Sequence, residues 1–131
     1  MERVLAFECK YGVIKYRKPT IKEGYYLGEQ YSDLPAKFSK FKDLKEDDNE
    51  GNVDKLKLIN NITGRIYDTM IENKFIVGCE LTVGEDVINN VELMGDYLEL
   101  KEDVSALCFA FIGLVFGIDL KKNTLPTTSI S

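Results

Sequence analysis

Residues 78–94 read Gly-Cys-Glu-Leu-Thr-Val-Gly-Glu-Asp-Val-Ile-Asn-Asn-Val-Glu-Leu-Met. This run is expected to contain the end of a strand, a short turn and an amphipathic helix over 84–94. Val87, Ile88, Val91 and Met94 recur at helical spacing and would give that helix one apolar face. Gly84 is placed at its opening, with Glu85 and Asp86 in the first turn, where the helix dipole favours negative charge. Gly95 would end it, because glycine readily adopts the left-handed conformation used at helix termini.

Upstream, three strands are expected at about 54–61, 65–71 and 74–81, with turns at Thr63-Gly64 and Glu72-Asn73. Alternation of Leu56 and Leu58 with Lys55 and Lys57 suggests one wet face for the first of them. Downstream, strands are expected around 97–100, 106–112 and 114–118, with Phe109, Phe111, Leu114 and Phe116 central to the core. At the N-terminal end, 2–9 and 13–18 read as a β-hairpin turned at Lys10-Tyr11-Gly12 and closed by Pro19. Ser32 or Asp33 would cap a second helix, near 33–41, that presents Leu34, Phe38 and Phe41 on one face. Pro35 falls in its first turn, and Lys37 and Lys40 face solvent. Residues 45–53, acidic and without an apolar anchor, read as a loop, and 124–131 as an edge strand or frayed tail. The expected architecture is α+β: a twisted antiparallel β-sheet packed against two short α-helices, in one domain over 1–131.

A chain of 131 residues with 44% hydrophobic content can build a core without staples. The opening Met-Glu-Arg-Val-Leu-Ala-Phe-Glu is too charged for a signal peptide, and the apolar run 104–118 is shorter than a membrane span. A cytoplasmic protein with no membrane association is expected. Cys9, Cys79 and Cys108 are odd in number and widely spaced. Buried free thiols are the plain reading, with a disulfide or a reactive thiol as the alternatives. The 22 Asp and Glu exceed the 17 Lys and Arg. That argues against direct nucleic-acid binding, which depends on cationic contacts to phosphate, and suits a basic partner.

Several chemistries lack their residues. There is no histidine, so the commonest general base, nucleophile activator and transition-metal ligand is missing. No phosphate-cradling or dinucleotide-binding glycine motif is present, and arginine is confined to Arg3, Arg17 and Arg65. An EF-hand frame with Gly51 at its sixth position would use Glu46, Asp48 and Glu50. It fails at the twelfth, where Lys57 stands in place of the bidentate acid. No catalytic residue, cofactor or metal ligand is assigned, and an enzyme is not expected.

Gly78-x-x-Leu81-x-x-Gly-Glu-Asp-Val-Ile, followed by Met94-Gly95, is echoed by Gly24-x-x-Leu27-Gly28-Glu-Gln-Tyr-Ser-Asp-Leu34. With the closing Phe-Ile-Gly-Leu-Val-Phe-Gly-Ile-Asp at 111–119, these segments resemble small bacterial immunity proteins of polymorphic or contact-dependent inhibition toxin systems. They are also similar to β-lactamase-inhibitor-like units. The resemblance covers about half the chain and departs at Thr82, where glycine is usual, and at Gly84, where a capping serine is usual. It implies a protein that neutralises a cognate toxin domain, a nuclease among the candidates, by presenting carboxylates to its basic surface. The contacts it would use are Glu46, Asp47, Asp48, Glu50 and Asp54, with Glu99, Glu102 and Asp103 as a second cluster. The alternative is a non-catalytic assembly or adaptor protein, phage- or mobile-element-borne, forming homo-oligomers through sheet edges.

Overall fold

A computed structural model describes residues 3–41 and 47–117. The N-terminal hairpin forms as the sequence indicates: β1 (Val4–Cys9) pairs antiparallel with β2 (Gly12–Arg17). Helices α1 (Ile21–Gln30), α2 (Leu34–Ser39) and α3 (Asn49–Glu72) follow. Then come β3 (Ile76–Val83), β4 (Asp86–Ile88), the single turn α4 (Val91–Met94), a 3-10 turn (Leu98–Leu100) and α5 (Lys101–Phe116). The four strands form one antiparallel sheet in the order β1-β2-β3-β4. The class is therefore α+β, with five helices among the described residues where two short ones were expected.

Alternation along the strands separates a buried face from a wet one. Ile14, Tyr16, Cys79, Leu81, Val83 and Ile88 are buried, with Leu5, Phe7 and Cys9 half-buried beside them. Ala6, Glu8, Lys15, Glu80 and Thr82 are exposed, and Lys15 and Glu80 pair across the wet face at 3.2 Å. The buried face meets Ile62, Ile66 and Met70 of α3 and Leu107, Cys108, Phe111 and Ile112 of α5 in one cluster. α5 runs along β1 in the opposite direction: Asp103 lies beside Cys9, while Leu114 and Val115 share a depression with Arg3.

The strands expected at 54–61 and 65–71 are α3. Ile62, Ile66 and Met70 repeat every four residues, and that stripe, not the local Leu56/Leu58 alternation, is what the fold buries; Leu56 is exposed. Gly64, read as a turn, sits in the exposed middle of this helix. Asp48 caps it, accepting from the Gly51 N–H at 2.8 Å. Of the loop expected over 45–53, residues 49–53 are instead the first turns of α3, with Asp47 and Asp48 leading into it. Residues 42–46 and the tail 124–131 lie outside the described residues.

The segment 98–116 is likewise helical, in a 3-10 turn and α5, rather than three strands; residue 118 is not described. α5 is apolar almost all round, a pattern that periodicity alone cannot divide between a buried strand and a buried helix. Its end is marked by Gly117, at φ +70, whose N–H reaches the carbonyls of Gly113 and Leu114. Phe111 is fully buried against Phe75, ring centroids 4.8 Å apart, whereas Leu114 is exposed.

The helix expected over 84–94 divides in two. Val83 pairs with Asp86 across the two-residue loop Gly84-Glu85, and Gly84 takes φ +62, as the first loop position of a tight hairpin allows. Only Val91–Met94 is helical. Val87, expected on the apolar face, is exposed on β4, while Ile88 and Met94 are buried. The expected helix near 33–41 exists in shorter form as α2. Before it α1 is capped by Thr20, whose side chain accepts from Glu23 N–H while Glu23 accepts from Thr20 N–H.

Two polar hubs fasten the helices. Arg17 donates to both Glu23 oxygens at 2.8 and 3.0 Å and to the Asn73 and Lys74 carbonyls at 3.0 and 3.3 Å. Its guanidinium lies 4.1 Å from the Phe75 ring centroid. Tyr31, fully buried, shares a 2.7 Å hydrogen bond with Thr69 Oγ1 and donates to the Arg65 carbonyl at 3.0 Å, tying α1 to α3.

Candidate functional site

The negative charge of this chain is concentrated. Between Gly84 and Asp103 stand Glu85, Asp86, Glu92, Asp96, Glu99, Glu102 and Asp103 against Lys101 alone, a net of −6. The whole chain carries −5, so the remaining residues sum to +1.

The fold spreads this run: Glu85, Asp86 and Asp103 lie toward the end of the sheet that holds the β1–β2 and β3–β4 turns, and Glu92 lies beside the C-terminal end of α3. Glu85 lies in the β3–β4 loop and Asp86 begins β4. Asn90 caps α4 by accepting from the Glu92 N–H at 2.8 Å, which fixes Glu92 in its first turn. Tyr97 donates its hydroxyl to Asp86 Oδ2 at 3.2 Å, drawing the segment after α4 back onto β4. Glu102 and Asp103 occupy the first turn of α5, where the helix dipole favours them. Burial raises the Cys9 thiol pKa, and the neighbouring Asp103 adds to the rise. Among the described residues, the ion pairs are Lys15–Glu80, Arg17–Glu23, Lys37–Asp33 and Arg65–Asp33, and none uses a carboxylate of 84–103. Val87, Leu93 and Leu98 are exposed within the same run, so apolar side chains are interleaved with the acids.

Next to it, α3 and α4 enclose an open groove of about 410 Å³ lined by Tyr67, Asp68, Ile71, Glu72, Val91, Glu92 and Gly95. Three carboxylates and no basic side chain line it. A second depression, of about 350 Å³, lies between α1 and α5 and carries Arg3 and Lys18.

The two acidic clusters identified in the sequence have different fates. Glu46 lies outside the described residues. Asp47, Asp48, Glu50 and Asp54 are exposed around the start of α3, where the Asp48 carboxylate serves as the helix cap and Glu50 sits in the first turn. Those are positions helix electrostatics alone would fill with acids. At 1.5 Å of rise per residue, Asp54 is about 21 Å along the helix from Asp68, so the structure does not join this cluster to the groove. Glu99 and Glu102 are exposed and Asp103 half-buried, in the charged run. The acids that sequence reading passed over are Glu85, Asp86, Glu92 and Asp96, with Asp68 and Glu72 across the groove. A running charge count would have found the first four; the last two are joined to them only by folding.

The three cysteines are free thiols; Cys79 and Cys108 are buried, and burial pushes Cys108 up to about 12. Among the described residues, no three His, Cys, Asp or Glu side chains are placed to hold a metal ion. No described helix is long and apolar enough to cross a membrane. Comparison with protein-family models, curated proteins and solved structures gives no match.

Proposed function

We propose that the chain is a cytoplasmic inhibitor of the immunity-protein type, neutralising a toxin domain by protein–protein contact without catalysis or cofactor of its own. The observation that carries this reading is the concentration of charge in one stretch: residues 84–103 hold more net negative charge than the entire chain. Interleaved with exposed Val87, Leu93 and Leu98, they combine long-range attraction for a basic surface with apolar contact area once docked. A nuclease that holds phosphate on a basic surface is the kind of toxin such a face would cover, since carboxylates would compete for the same cations. Steering of this sort raises the association rate and weakens with added salt. The test is protection during co-expression with a toxin gene found directly upstream of this chain's own gene. Survival is expected with the native chain and loss of protection with Glu92→Lys, Glu99→Lys and Glu102→Lys combined. Full toxin activity in the presence of the folded native chain would overturn the reading.

A second reading, an adaptor assembling through sheet edges, is favoured by β1. Among the described residues, β1 pairs only with β2 and presents six residues, Val-Leu-Ala-Phe-Glu-Cys, without proline or lysine to blunt the edge. Mass measurement in solution separates the two: a homo-oligomer alone supports the adaptor, and a monomer that forms a heterocomplex supports the inhibitor.

A further inference from the structure

Resting on the inhibitor reading, the geometry points to the groove between α3 and α4 as the seat of a lysine or arginine side chain presented by the partner protein. Its walls are of two kinds. Tyr67, Ile71 and Val91 supply apolar surface, while Asp68, Glu72 and Glu92 supply carboxylates. A long basic side chain has the matching halves, an aliphatic stem and a charged head. The Tyr67 ring offers the head a further attraction.

Glu72 is the last residue of α3, at the negative end of the helix dipole; the Arg17 guanidinium takes the Asn73 and Lys74 carbonyls just beyond it, and not the Glu72 carboxylate. None of the three groove carboxylates belongs to an ion pair among the described residues. A partner cation would therefore meet charge that no described basic side chain pairs.

Gly95 leaves the groove open. Its φ is −66, so the backbone does not demand glycine, and a Cβ there would meet Tyr67 Oη at 3.6 Å and the Glu92 carbonyl at 3.9 Å, ordinary contacts. A larger side chain can thus be introduced at this position to fill the space without altering charge or straining the chain.

The experiment uses the full chain, isotopically labelled, titrated at about 50 mM salt with a synthetic leucine–lysine amphipathic helical peptide. The same peptide with glutamine for lysine, and spermidine, serve as comparisons. The lysine peptide should shift the amides of 67–72 and 91–95, and Gly95→Leu or the pair Asp68→Asn and Glu72→Gln should each weaken it by about tenfold or more. Asp54→Asn, at the far end of α3, should leave it unchanged. Undiminished affinity in Gly95→Leu, with shifts confined to 96–103, would overturn the groove while leaving the acidic inhibitor face standing. Equal binding of the glutamine peptide would make the seat apolar rather than cation-selective and would also overturn it. So would spermidine occupying the groove while the peptide fails to displace it, or no peptide binding up to about 1 mM. Failure of the inhibitor reading itself is seen separately, in the co-expression assay.

Discussion

Replacing Glu23 by Gln isolates what one ion pair contributes to holding α1 against the sheet. Glutamine can still accept from the Thr20 N–H, so the capping box survives, but the charge that Arg17 grips with two hydrogen bonds is lost. Those bonds hold the Glu23 carboxyl at about 2, against 4.5 for an unperturbed group. At about 1.4 kcal/mol per pKa unit, that difference corresponds to at most roughly 3.4 kcal/mol. Glu23 is a third exposed, however, and solvent screening reduces the figure to about 1–2 kcal/mol. Because the folded-state pKa is depressed, this stabilisation is fully present above about 4.5 and disappears as pH falls toward about 2. Urea unfolding followed by circular dichroism should show Glu23→Gln less stable than the native protein by about 1–2 kcal/mol at pH ~7, with Tm lower by about 4–8 °C. The two proteins should converge as pH falls through about 4.5 to 2. A gap that stays constant over that interval, or no gap at neutral pH, would refute the assignment of the low pKa to the Arg17 pair.

Other substitutions probe the same fold. Gly12→Ala would drive its Cβ into the Glu80 carbonyl oxygen at φ +144, so a loss of about 3 kcal/mol or more is expected in urea unfolding. Gly64→Ala, in exposed helix with open space around it, should raise stability by about 0.5–1 kcal/mol, visible as a higher Tm. Tyr31→Phe removes the hydroxyl shared by Thr69 and the Arg65 carbonyl and should cost about 1–3 kcal/mol by the same measurement. Thiol labelling of the native protein at neutral pH should modify half-buried Cys9 first and leave Cys108, buried and pushed up to about 12, unreacted until unfolding.

What was legible in the sequence is the part governed by local rules. The β1–β2 hairpin carries alternating residues around a glycine-bearing turn, and the helix behind Asp33 carries an early proline, although the Asp33 side chain pairs with Lys37 and Arg65 and makes no cap. α1 was equally readable, since Thr20-Ile-Lys-Glu23 is a capping box, yet no helix was expected there. α3 and α5 were misread for different reasons. In α3, β-branched residues and the Thr63-Gly64 pair imitate a strand and turn, and the four-residue spacing of Ile62, Ile66 and Met70 emerges only over a longer window. α5 has almost no polar face, so its acidic first turn and Gly117 were the informative signals. Of the site, the Glu99–Asp103 cluster was visible, but its continuity with Glu85, Asp86 and Glu92 depends on the Asp86–Tyr97 contact, and the groove depends on the meeting of α3 with α4. Such pairings are set by packing, which no short stretch of sequence encodes.

Amide hydrogen exchange, compared between the free chain and its complex with a toxin domain of the proposed kind, bears most directly on the proposed binding face. Slowed exchange across 84–103 and along 67–72, with 47–54 unchanged, is the outcome expected. Protection restricted to 47–54 or to the β1 edge, with 84–103 exchanging as freely as before, would contradict it.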